Sequence, residues 1–139
     1  MKKGEKMDSL KGKIIAVDFD GTIAHYNGFK GVGVFGEPIT GVHWALGKFK
    51  EFGAVIIINT CRREIQHVAD YLFKHKIPYD HINFCPRNVK YKSSDKKINA
   101  DIYIDDKGIG FRGEWKDTFL QVMNFRPWNK ELGGISSKG

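Results

Sequence analysis

The chain is poor in cysteine and lacks any long apolar run. Cys61 and Cys85 are its only cysteines in 139 residues, too few for a disulfide framework, and no Cys-x-x-Cys pair marks a zinc site. The longest strong apolar run, Ala54-Val55-Ile56-Ile57-Ile58, falls far short of the roughly 18 residues of a membrane span. The segment from Met1 to Lys13 carries lysines but no apolar core of signal-peptide length. The five histidines, His25, His43, His67, His75 and His81, show no metal-ligand spacing. These absences argue against a secreted disulfide scaffold or a membrane protein and set the expectation of a cytoplasmic one.

What is present describes an ordinary globular chain. Hydrophobic residues make up 41% and charged residues 28%, and a chain of this length buries about two thirds of its unfolded surface. The expected organisation is one catalytic-sized domain over 13–126 between a loose basic tail at 1–12 and a second loose tail at 127–139. The net charge of +7 is uneven, with five lysines in 2–13 and five basic residues in 87–97 (Arg87, Lys90, Lys92, Lys96, Lys97). A basic surface steers anionic partners, including nucleic acids and phosphorylated metabolites. Solvated lysines at chain ends give the same count in proteins that bind neither.

The apolar patterns alternate between strand and helix, which predicts an α/β fold with a mostly parallel sheet. Strand one is expected at Lys13–Val17, and helix one at Gly41–Phe52 with Val42, Ala45, Leu46 and Phe49 inward and Gly53 as its stop. The run Ala54–Asn59 reads as a strand buried on both faces. Helix two is expected over Arg62–His75 with Ile65, Val68, Ala69, Leu72 and Phe73 on its core stripe, ending before Pro78. A short strand at His81–Phe84, a loop, and a strand at Asp101–Ile104 follow. Trp115, Phe119, Val122 and Met123 mark a last helix whose apolar side chains are expected in the core, and Cys85 is expected to be half-buried.

Chemistry concentrates where these strands end. Asp18-Phe19-Asp20-Gly21-Thr22 follows the apolar run Ile14–Val17, so two carboxylates on one side of the strand arrive at its carboxyl end. Like charges at that separation persist together with a cation or with one of them protonated, which points to a metal site, an acid/base pair, or both. Gly21 permits a sharp turn that brings amides near an anion. The second strand ends in Thr60-Cys61-Arg62, where a hydroxyl, a helix N-terminus and a planar guanidinium suit a phosphoryl group. Thr60 capping helix two is the plainer role, and Cys61 as a nucleophile is the less favoured one. Asp105-Asp106 repeats the delivery of carboxylates by an apolar strand, and hard oxygen ligands beside a phosphate favour Mg²⁺.

Together these stretches resemble the four motifs of the haloacid dehalogenase-like (HAD) superfamily, in the family's order from Ile14 to Asp106. The resemblance implies a Rossmann-like three-layer sandwich and Mg²⁺-dependent phosphomonoester hydrolysis through an aspartyl-phosphate. It implies Asp18 as nucleophile and Asp20 as general acid and base. Thr60, Arg62, Gly21 and a lysine, Lys97 rather than Lys96, fall at the phosphate, and Asp18, Asp20, Asp105 and Asp106 at the metal. Only a glycine-rich flap, Ile23–Pro38, stands where relatives carry a cap domain. Such open sites serve large phosphorylated substrates, including nucleotides or nucleic-acid ends, or are closed by a second copy of the chain. Thr60-Cys61-Arg62 and Ile104-Asp105-Asp106-Lys107 are similar to the phosphatase domain of polynucleotide kinases. Two other readings share the residues: a catalytically idle phosphate-binding or partner-binding module, and a receiver-like domain, which the Asp-x-Asp spacing and the order of the lysine disfavour.

Overall fold

Two short β-branched runs form the middle of a parallel sheet in the computed structural model, which describes residues 8–93 and 96–129. Most of both expected tails, 1–7 and 130–139, lies outside the described residues. The chain divides into two compact units, Met1–Ile104 and Asp105–Gly139. The first holds β1 (Ile14–Asp18), α1 (Val42–Glu51), β2 (Val55–Asn59), α2 (Ile65–Lys74), β3 (His81–Ile82), α3 (Pro86–Lys90) and β4 (Ile102–Ile104). The sheet order is β3-β2-β1-β4 with every pair parallel.

Alternation along β1 and β2 sorts their side chains onto two faces. Ile15, Val17, Ile56 and Ile58 pack with Val42 and Leu46 of α1 and with Val68 and Leu72 of α2. Ile14, Ala16 and Ile57 pack with Cys85 and Ile98 of the segment returning from β3 to β4. Both central strands are therefore covered twice, which is why they read as unbroken apolar runs. The result is an α/β, Rossmann-like three-layer arrangement. The chain steps β1–β2–β3 in one direction and then passes back beyond β1 to β4. The strand order thus reverses between β1 and β4, the point where ligands of open α/β sheets bind.

Carboxylates also clamp the opposite edge of the sheet. Asp80, just before β3, accepts from the Ile56 amide at 2.8 Å and from Lys50 Nζ at 2.6 Å. Asp101, just before β4, accepts from the Ile14 amide and from Arg87 Nη2, each at 2.8 Å. Arg87 and the Ile14 amide hold the Asp101 carboxyl down at about 2. Buried Asn88 donates to the Lys97 carbonyl at 2.6 Å and accepts from the Asn99 amide, fixing the return segment.

Several expectations change. Residues 8–12 are held in place, with the Leu10 amide donating to the Phe52 carbonyl at 2.9 Å. Helix two starts at Ile65, not Arg62, because Thr60 Oγ1 takes the Arg62 amide and the Arg63 carbonyl takes the Ile65 amide. Its buried stripe is Val68, Tyr71 and Leu72, while Ile65 and Phe73 are exposed. Phe73 follows Leu72 directly and so lies about 100° round the helix from it. The third strand ends at Ile82, since Asn83 adopts a left-handed conformation (φ 53°) and turns the chain. Pro86 then opens α3 where a loop was expected, and Cys85 is buried rather than half-buried.

The second unit contains α4 (Trp115–Met123), whose first amides, of Lys116 and Asp117, are capped by the Glu114 carboxylate. Trp115, Phe119, Val122 and Met123 are all more than half exposed, against the expectation of core, and Thr118 is the buried residue. Helical spacing reveals an apolar stripe without revealing what covers it. Among the described residues, no helix is long and apolar enough to cross a membrane.

Candidate active site at the carboxyl edge of the sheet

Parallel pairing brings all four strand ends to one edge, and the polar residues found there come from those ends. Asp18 closes β1 opposite Asn59 of β2. Its half-buried carboxylate accepts from Thr22 Oγ1 at 3.3 Å. Phe19 is fully buried, and its carbonyl collects the amides of Thr22, Ile23 and Ala24. Its ring meets Phe35 and Tyr71 edge-on at 5.2 Å each. Gly21 sits at φ 84° and donates its amide to the Ala24 carbonyl at 2.8 Å. Gly21 therefore acts as the turn itself.

Asp20 and Arg62 form a two-pronged ion pair. Nε donates to Asp20 Oδ2 at 2.8 Å and Nη2 to Oδ1 at 2.9 Å, with both side chains mostly buried. Such fork-to-fork pairs are the stronger kind of charged hydrogen bond. The bond to Asp20 outweighs the cost of burial and raises the Arg62 pKa further. The guanidinium also stacks on Phe35 at 4.6 Å and on Phe29 at 5.3 Å, and reaches the Gly31 and Val34 carbonyls at 3.4 Å each. The residue expected at a phosphate is thus engaged with the second aspartate and with the flap.

Thr60 lies one residue past β2. Its hydroxyl oxygen accepts from the Arg62 amide at 3.0 Å, which leaves its hydroxyl proton available to a ligand. Asn83, which sequence reasoning missed, grips the Thr60 backbone at both ends. Its Oδ1 takes the Thr60 amide and its Nδ2 donates to the Thr60 carbonyl, both at 2.8 Å. The available signal was an asparagine just past a strand, a residue type that tolerates positive φ.

The flap leaves through Ala24 and returns at Pro38, which pair as an antiparallel bridge. The His25 amide donates to the Glu37 carbonyl and the Tyr71 hydroxyl to the Gly36 carbonyl, both at 2.8 Å. Burial, with help from Glu37, pushes Tyr71 up to about 12, so it remains a neutral donor. Cys61 is exposed. Lys96 and Lys97 are exposed on the return segment, where Asn88 fixes the Lys97 carbonyl. Asp105 and Asp106 open the second unit, directly after Ile104, which lies opposite Val17 of β1.

No family model matches the chain, and no curated protein does. Among solved structures, a conserved protein from Bacteroides thetaiotaomicron is similar at a TM-score of 0.58 and 22% identity, covering 91% of this chain and 98% of that one. A target protein from Vibrio cholerae is similar at a TM-score of 0.46 and 22% identity, covering 81% and 99%. At this identity the first likeness shows the fold alone.

Proposed function

We propose that the protein is a Mg²⁺-dependent phosphomonoester hydrolase of the HAD-like kind, working through a phosphorylated Asp18. The observation that carries this reading is the gathering of Asp18, Asp20 and a backbone-clamped Thr60 at the carboxyl edge, next to the strand-order reversal.

An Asp18 carboxylate oxygen would form a bond to phosphorus as the bond to the leaving oxygen breaks, and Asp20 would protonate that oxygen. A water oxygen would then bond to phosphorus, giving its proton to Asp20 as the Asp18 bond breaks. The Thr60 hydroxyl and the Lys97 ammonium would offset charge on the phosphoryl oxygens. Asp20 needs one oxygen free to carry a proton, and an arriving phosphate dianion competes with it for the Arg62 fork.

The chemistry of the donors fits a hard divalent cation. Asp18, Asp105 and Asp106 would supply carboxylates, and the Asp20 carbonyl would add a fourth oxygen. Bound Mg²⁺ would supply charge neutralisation at the transferring phosphoryl group. Anionic substrates such as nucleotides or nucleic-acid ends suit the basic segment 87–97.

The hold of Arg62 on both Asp20 oxygens also favours the rival reading, a phosphate-binding module without turnover. Hydrolysis of an aryl phosphate by purified protein, with Mg²⁺ and with excess chelator, separates the two. Turnover that depends on Mg²⁺ is expected. Phosphate binding without turnover would establish the module instead.

A further inference from the structure

Between the flap and the start of α2 lies a cavity of about 300 Å³ to which the chemistry above assigns no part of the substrate. Tyr26, Phe29, Val32 and Phe35 give it an aromatic and apolar wall, and Asp20 and Arg62 line it as well. We propose that this cavity binds a planar aromatic ring system carried by the alcohol half of the substrate, the size of one nucleobase; this rests on the phosphatase reading.

Four observations support a ring. Phe29 is 62% and Val32 63% exposed, although both line a concave surface, and apolar surface of this kind marks binding sites. Phe35 is a fixed platform, since its ring meets Phe19 and Tyr71 edge-on at 5.2 and 5.3 Å. The Arg62 guanidinium already lies against Phe35 and Phe29, and an incoming π-face extends that stack. The volume is at the small end for ligand pockets, suited to one or two fused rings rather than to a helical nucleic-acid end.

The flap backbone suits such a guest. Gly28, Gly31 and Gly33 have φ of 89°, 128° and 75° and bracket Phe29 and Val32, so the two side chains are carried on segments that only glycine shapes easily. Because the cavity shares Asp20 with the reacting centre, a ring bound there places its attached phosphate toward Asp18 and Thr60.

The test compares adenosine 5′-monophosphate with ribose 5-phosphate, which present the same reacting bond and differ in the base. Wild-type protein should prefer the nucleotide by about tenfold or more in kcat/KM. Phe29→Ala should reduce the preference to roughly threefold or less, and Phe29→Tyr should keep it. Equal turnover of the two substrates by the wild type, or a preference that survives Phe29→Ala, would overturn the proposal. If neither is hydrolysed, the aryl-phosphate assay judges the phosphatase reading, and the cavity is judged by titration with adenosine alone, followed by NMR. Shifts at Phe29 and Val32 that vanish in Phe29→Ala uphold the cavity, and no shift at millimolar adenosine overturns it.

Discussion

Arg62 grips the Asp20 carboxylate through Nε at 2.8 Å and Nη2 at 2.9 Å while its guanidinium lies on Phe35. One side chain thus joins the loop after β2, the turn after β1 and the flap. Arg62→Ala leaves Asp20 without its partner and should cost about 2 kcal/mol of stability. Thermal unfolding checks this, and an unchanged melting temperature would show the pair to be incidental. Arg62→Lys keeps the charge but not the fork and should recover only part of the loss.

Asn83 acts on the site through Thr60. Asn83→Ala removes two 2.8 Å hydrogen bonds from the Thr60 backbone. Turnover should fall by about tenfold or more, since small misplacements of a positioned group are costly. Comparing Asn83→Ala with Thr60→Ala, and with the double variant, checks the coupling. Fully additive losses would contradict it.

Gly36 has no room for a side chain, because an added Cβ would lie 2.2 Å from the His25 carbonyl oxygen. Gly36→Ala must therefore part the two flap strands near the Ala24–Pro38 bridge. A loss of about 1–3 kcal/mol is expected by unfolding in denaturant. Faster proteolysis within 25–38 should accompany it.

Asp101 gives the fold an acid limit. Its carboxyl is held at about 2 against an ordinary value of 3.8, first by Arg87 and then by the Ile14 amide. A group whose folded pKa is lowered adds stability above its unfolded pKa and loses it as pH falls toward the folded one. Asp101→Asn should thus cost about 1 kcal/mol at pH 7, a modest figure because the pair is partly solvated. The difference from wild type should shrink between pH 4 and pH 2. A constant difference across that range would contradict the assignment.

The sequence was most legible where one constraint acts on several residues at once. Ile14–Val17 and Ile56–Ile58 are buried on both faces, so their composition alone gave the two central strands and the edge where Asp18 and Thr60 stand. Gly53, at φ 101°, follows the end of α1 as expected, while Gly41, at φ 93°, precedes the helix rather than opening it. The ion pair of Arg62 was not legible because its residue type suits a phosphate and a carboxylate equally, and only the fold brings Asp20, 42 residues away, into reach. The start of α2 was misplaced because a threonine hydroxyl serves a turn as readily as a helix cap. Asn83 and Tyr71 act on backbone groups 23 and 35 residues away, and nothing in their own neighbourhoods points there.

The most direct measurement is Mg²⁺-dependent hydrolysis of an aryl phosphate by wild type and by Asp18→Asn, each paired with a thermal melt. If Asp18 is the nucleophile, the variant should melt as a folded protein and lose turnover by at least about a thousandfold. An Asp18→Asn protein that is folded and hydrolyses at the wild-type rate would contradict the mechanism.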